Sequence, residues 1–308
     1  MALTDIIPSH FPELYQSEFQ IEHQQMLDHV RQFMPVYPVQ GEVRKFHRLK
    51  KTIAQKVKER PTAGAPEVIA SGDTTFGDTE IVNLYTEFYE AQPAQIDKRE
   101  AIRLGSINSP HDSLVKNQYA ALARQMSIVA TDGILGDRKV GKTGGTSEAM
   151  PAGNIITGAS GMDYDLLDEV YTLLGANQVL GQNVEGNNTW AVFCRHKDLR
   201  VLRNDATLSN RDFSDIRPID KGTIFEFRGG YIVVMADEIF ANQIVDAGAN
   251  VKLPMFSRDC VAFGDTETPT ASADVLPEWR NNVLLQLEAG FGATAIDPDG
   301  VFALKVPV

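Results

Sequence analysis

Between residues 109 and 132, apolar side chains recur every three or four positions: Val115, Tyr119, Leu122, Met126 and Val129. That period lays them along one face of an α-helix. Upstream, Asn108-Ser109-Pro110-His111-Asp112 supplies a capping residue, a proline at the first helical position and an early carboxylate. Gly133 stands where such a helix is expected to end. At about 1.5 Å per residue the rod would be about 33 Å long. Ala120, Ala121 and Ala123 would let neighbours come close. A second amphipathic helix is predicted from Met162 to Leu174, with Leu166, Leu167, Val170, Leu173 and Leu174 apolar and Gly175 as its stop.

The remaining pattern is of strands. Trp190-Ala191-Val192-Phe193-Cys194 reads as a short buried strand running into a short helix around Lys197 to Leu202. Phe225 to Phe227, Arg228-Gly229-Gly230 and Tyr231 to Met235 read as strand, turn and strand. Val283 to Leu287 and Ala293 to Ile296 are strand-like, Asp297-Pro298-Asp299-Gly300 is a turn, and Val301 to Val306 returns. Long helices with antiparallel ribbons, rather than alternating β-α units, make the class α+β.

The N-terminal third is different. Prolines at Pro8, Pro12, Pro35 and Pro38 surround a short amphipathic piece, Ser17 to Phe33, as in an arm rather than a core. Then come eight cations, Arg44, Lys45, Arg48, Lys50, Lys51, Lys56, Lys58 and Arg60, and a loop-like stretch, RPTAGAPEVIASGDTTFGD. The following EIVNLYTEFYEAQ combines strand formers with Glu80, Glu87 and Glu90. Two oppositely charged segments about a tip suggest a long two-stranded excursion. An isolated ribbon of this kind is marginal in water and needs a partner surface. The basic run and the glutamates, namely Arg44, Lys45, Arg48, Lys50, Lys51, Glu80, Glu87 and Glu90, are therefore candidate intersubunit contacts.

Charge restricts the partners. A net charge of -12 over 308 residues disfavours generic affinity for nucleic acid or anionic membrane. The two cysteines, Cys194 and Cys260, stand singly and read as buried thiols rather than a disulfide or metal site. The N-terminus lacks the charge and apolar run of a secretory signal, and the apolar runs are too short to span a bilayer.

One stretch points to chemistry. Gly136-Asp137-Arg138-Lys139-Val140-Gly141-Lys142-Thr143 fits the P-loop pattern, with Gly136, Gly141, Lys142 and Thr143 at its fixed positions. A phosphate-binding loop follows a buried strand and opens a helix. Here a long helix precedes it and poor helix formers, Gly144-Gly145-Thr146-Ser147, follow. The match reads as a decoy within a flexible basic connector. The six histidines show no metal-ligand spacing, and no G-x-S-x-G elbow occurs. Asp163, Asp165 and Asp168 fall in the first turns of a helix, where carboxylates favour the macrodipole. No catalytic, cofactor-binding or metal residue is assigned, so no enzymatic activity is expected.

The order of parts resembles the major capsid protein of tailed double-stranded DNA bacteriophages, the Hong Kong 97 fold, over nearly the whole chain. The stretches that carry the likeness are DKREAIRLGSINSPHDSLVKNQYAALARQM, NNTWAVFCRHKDLRVLRNDATLSNRDF, IDKGTIFEFRGGYIVVMADEIF and LLQLEAGFGATAIDPDGVFALKVPV. The resemblance implies an N-terminal arm over 1–40 and an extended ribbon, the E-loop, over 41–95. It implies a peripheral domain over 96–160 and 265–308, with its spine helix at 109–132, and an axial domain over 161–264. It implies a structural subunit that assembles into hexamers and pentamers of an icosahedral head around double-stranded DNA. The head would form in the host bacterial cytoplasm. Its partners would be further copies of itself, a portal, a separate scaffolding protein and weakly contacted DNA. A decoration or cement protein is compatible with it, and no membrane is involved. The alternative within the fold is an encapsulin-like nanocompartment shell; a P-loop NTPase is the more distant one.

Overall fold

The computed structural model describes residues 30–49, 79–96, 110–180, 190–204, 224–227, 229–276 and 282–308. Most of the arm, the ribbon tip with Lys50 and Lys51, and the predicted helix cap at Asn108-Ser109 lie outside these residues. Among the described residues, sixteen strands form sheets of seven, five and four strands around a few helices.

The seven-stranded sheet has the order β10-β11-β9-β13-β16-β8, with β12 on β13. Its strands are β8 (Ile155–Thr157), β9 (Trp190–Arg195), β10 (Ile224–Phe227), β11 (Gly230–Met235), β12 (Ile244–Val245), β13 (Asn250–Ser257) and β16 (Val301–Pro307). Every residue of β9 is buried, which is why it reads as a continuous apolar run instead of alternating. It pairs parallel with β11 and antiparallel with β13. The helix Tyr164–Ala176 starts where Asp163 accepts the Leu166 N–H at 3.0 Å, so that aspartate is a cap. The helix passes through Gly175, which does not stop it. Helix His196–Asn204 begins at a buried two-pronged ion pair, Arg195 Nε to Asp198 Oδ2 at 2.8 Å and Nη2 to Oδ1 at 2.9 Å. The same guanidinium donates to the Pro307 carbonyl at 3.1 Å, which ties that corner to the C-terminal strand.

The five-stranded sheet runs β1-β14-β15-β4, with β5 also on β15. Its strands are β1 (Val36–Pro38), β4 (Glu87–Glu90), β5 (Ala94–Ile96), β14 (Val261–Leu276) and β15 (Asn282–Ala295). β15 joins the two short segments the sequence suggests into one long strand, β14 is a strand the sequence does not suggest, and two register shifts between Asp265 and Thr270 bend the pair. The boundary expected at 264/265 falls inside β14, and β16 lies in the seven-stranded sheet. The third sheet, β2-β3-β6-β7, joins the root of the ribbon, β2 (Val43–Leu49) and β3 (Thr79–Tyr85), to a hairpin of β6 (Arg138–Val140) and β7 (Thr146–Glu148).

The long helix runs from Pro110 to Leu135, through Gly133 rather than ending there. Of the expected apolar set, Leu122 and Met126 are buried, beside a row of mostly small residues. Ala120, Ala123, Ser127, Ala130 and Ile134, spaced three and four apart, are nearly or fully buried, while Tyr119 is 47% exposed. Small side chains let the helix lie close on β15. Buried Ser127 and Thr131 satisfy their hydroxyls by donating to the Ala123 and Ser127 carbonyls, four residues back, at 3.1 and 2.9 Å. Gly133 serves the same approach: a Cβ there would collide with the Ala293 carbonyl and stand 2.9 Å from the Ala293 Cβ.

This geometry reverses an ordinary expectation. Glycine to alanine inside a helix normally stabilises by about 1 kcal/mol. Gly133→Ala is expected instead to destabilise by about 1–3 kcal/mol, because helix and strand must separate. Denaturant unfolding of the two proteins reads the sign directly.

Candidate functional site

Strand alternation divides the basic run of β2 between two faces. Arg44, Phe46 and Arg48 turn toward the body; Lys45 and His47 turn to solvent. Phe46 meets Tyr37 edge-on at 5.0 Å, beside a small core of Val39, Leu84 and Ala262. The Arg44 guanidinium sits 4.9 Å from the Tyr37 ring centre and 5.6 Å from that of Phe46, and donates to the Pro38 carbonyl at 2.6 Å. Arg44 therefore anchors β2 to β1 within its own chain.

Arg48 enters a network of charges. It pairs with Glu80 at 3.2 Å, Asp297 at 2.5 Å and Asp299 at 3.4 Å. Arg138 approaches Glu80 from the other side at 2.8 Å, pairs with Glu148, and donates to the Ile296 carbonyl at 3.3 Å. Two guanidiniums, from β2 and β6, thus bridge four carboxylates, one each from β3 and β7 and two from the turn Asp297-Pro298-Asp299-Gly300. Burial by itself lowers the Arg48 pKa, but the charge of Asp297, the Glu80 hydrogen bond and the charge of Asp299 outweigh it, and the net shift is upward. The network fixes the ribbon root to the C-terminal turn.

The sequence-expected residues accordingly separate. Arg48 and Glu80 pair their charges with partners inside the chain. Lys45 remains exposed, though its Nζ donates to the Lys142 carbonyl at 2.7 Å. Glu87 accepts from the Tyr89 hydroxyl at 3.1 Å, and Glu90 from Gln286 at 3.2 Å; both are exposed. Lys50 and Lys51 lie outside the described residues. Arg138, Glu148, Asp297 and Asp299 were not singled out as ion-pair partners. Asp297-Pro298-Asp299 was legible as a turn, but nothing in its sequence says that it faces position 48.

The P-loop match occupies the β6–β7 hairpin. Gly136 follows the long helix, and Arg138 to Val140 form a strand. Gly141 and Gly144 take φ of +92° and +70° in the turn, as a tight turn requires. No helix opens after Thr143, so no row of free N–H groups faces a phosphate. The Lys142 and Thr143 carbonyls accept instead from Lys45 and from the Tyr85 hydroxyl, the latter at 3.4 Å. The connector is thus an ordered edge of the ribbon sheet, with Val140 buried, rather than a flexible link.

Nothing else among the described residues offers chemistry. No cluster of three or more His, Cys, Asp or Glu could hold a metal there. Both thiols are buried. Burial, then the charge of Asp297, pushes Cys260 up to about 12, and burial raises Cys194 as well.

The family model for phage capsid protein matches residues 7–308. In fold the chain is similar to the capsid asymmetric unit of cyanophage Pam1, with a TM-score of 0.67, 12% identity, and 100% of this chain and 98% of that chain covered. It is similar to the capsid of cyanophage P-SCSP1u, with a TM-score of 0.61, 11% identity and coverage of 99% and 94%. The mature capsid asymmetric unit of bacteriophage PhiM1 gives 0.60, 11% identity and coverage of 96% and 91%. At such identities the likeness establishes the fold, the Hong Kong 97 type. No curated protein sequence matches the chain.

Arg48→Ala is expected to cost about 2–3 kcal/mol, since it strips hydrogen-bonded partners from three carboxylates, and Arg48→Lys should recover only part of it. Equilibrium unfolding in denaturant measures both. The Cys260 contribution to stability is complete below the ordinary thiol value of 9.0 and falls as pH rises toward about 12. Neither thiol is expected to be alkylated in the native protein at pH 8, while both react after unfolding; mass spectrometry distinguishes the states.

Proposed function

The chain belongs to the phage capsid protein family, and on that premise we propose that its copies form the hexamers and pentamers of an icosahedral head around double-stranded DNA. The membership makes it a structural protein of the virion capsid, a major capsid protein and not an enzyme. The observation that carries the finer reading is the ribbon. Its root is locked to the body by Arg48, Glu80 and Arg138, and its two strands, β2 and β3, are joined along the chain by residues 50–78. Such an excursion is stable when neighbouring copies bury it, and closed symmetric assembly supplies those neighbours. Intersubunit area then adds stability that a single copy lacks.

In this reading residues 1–40 are the arm and 41–95 the extended ribbon. Residues 96–160 and 265–308 lie at the capsomer periphery, and 161–264 approach its axis. Portal and scaffolding proteins take part in assembly within the host cytoplasm, and a decoration protein is compatible with the lattice. Packaged DNA is touched weakly and without sequence preference, as a subunit of charge -12 requires.

Expression with and without phage assembly factors, followed by size-exclusion chromatography and negative-stain microscopy, tests the reading. Closed particles of uniform size are expected. A strictly monomeric product even with those factors supplied would overturn it.

A further inference from the structure

Two outward sheet faces of opposite charge carry an inference about how copies meet; it rests on the capsid reading above. On the four-stranded sheet, Lys45, Asn83, Lys139 and Ser147 stand in register across all four strands. Lys45, His47, Lys139 and Lys142 are exposed, and Tyr85 beside them is 41% exposed. The carboxylate at this face is Asp137, which accepts from Ser147 at 3.1 Å. A compact cationic face is thus presented by a chain whose net charge is -12.

The other face belongs to the five-stranded sheet. Leu285, Leu287, Ala289 and Phe291 of β15 turn inward, so Glu288 and Gly290 turn outward. Glu288 lies directly opposite Glu90 of β4, and Gly290 opposite Phe88. Glu267 of β14 pairs with Gly290 from the other side. Like charges directly opposite one another destabilise a strand pair. Gln286 donates to Glu90 at 3.2 Å, and no described cation pairs with Glu90 or Glu288. Among them Phe88, 66% exposed, lies over Gly290. A carboxylate pair needing a cation and an uncovered aromatic ring thus share one face.

We propose that this acidic, Phe88-bearing face of one copy receives the cationic outer face of the ribbon sheet of the next copy. Ammonium groups from Lys139 and Lys142 neutralise the Glu90–Glu288 pair, and Tyr85 brings an aromatic ring to Phe88. The two faces are different surfaces of the same chain, so the contact is head-to-tail. Contacts of that kind close into rings or continue into a lattice. Exposed lysines and glutamates select register and steer encounter more than they add affinity, so the contact weakens with salt.

The test uses the full chain under conditions where the wild type forms particles. Lys139→Glu with Lys142→Glu, and separately Glu90→Lys with Glu288→Lys, should each lower particle yield at low salt by about tenfold. Melting points should match the wild type; where a reversal lowers one, the corresponding glutamine substitutions replace it and give a smaller loss in the same direction. Combining all four reversals in one chain should restore particles, because every junction is then complementary again in rings of five as in rings of six. Wild-type yield from either two-residue variant, or no restoration in the four-residue variant, overturns the pairing. Loss of packaged DNA from lysine-reversed particles that assemble normally assigns that face to phosphate and also overturns it. Failure of the wild type to form particles even with assembly factors overturns the capsid reading itself, which separates the two failures.

Discussion

Three parts of the molecule converge on five residues of β15, Ala289-Gly290-Phe291-Gly292-Ala293, and the fold depends on how closely they can approach. The long helix reaches Ala293 through Gly133, where a Cβ would strike the strand backbone. The end of the ribbon, at the Tyr85 carbonyl, occupies the space a Cβ on Gly292 would need. Phe88 covers Gly290, while Phe291 points inward and stacks on Tyr89 at 4.5 Å. Packed interiors have little slack, so backbone contacts of this kind fix orientation more firmly than larger side chains would. Helix, sheet and ribbon are set relative to one another at this platform.

Electrostatics takes over where packing ends. Beside the Phe46 and Leu84 core, the Arg48–Glu80–Arg138 network holds the ribbon root. Partly buried guanidiniums with several carboxylate partners are geometrically demanding, so they resist rotation as well as separation. The root therefore behaves as part of the body.

Much of this was legible in the sequence. The long helix, the capped helix at Asp163, the buried run at Trp190 and the turn at Asp297 follow from period, caps and turn residues, which are local properties. The misreadings also have local causes. Gly133 and Gly175 looked like helix stops, because glycine at the end of an apolar period signals a stop, and the close approach that Gly133 serves has no sequence mark. β14 was missed because its outer half, Glu267 to Leu276, is polar and small; it is a strand through pairing with β15, not through propensity. The P-loop pattern survived as a string and failed as a structure: the glycines that would cradle a phosphate turn a hairpin.

The basic run shows most clearly where each source of information stops. The sequence by itself determined the class, the long helix, the absence of a catalytic signature and the concentration of charge around residues 44–60. Those properties depend on composition and on spacings of a few residues. Tertiary structure alone decided that Arg44 and Arg48 face inward while Lys45 faces out, and that Arg48 meets Asp297, 249 positions away. A strand assigns alternate residues to opposite faces, but which face meets the body is set by partners distant in the chain. No local pattern encodes them.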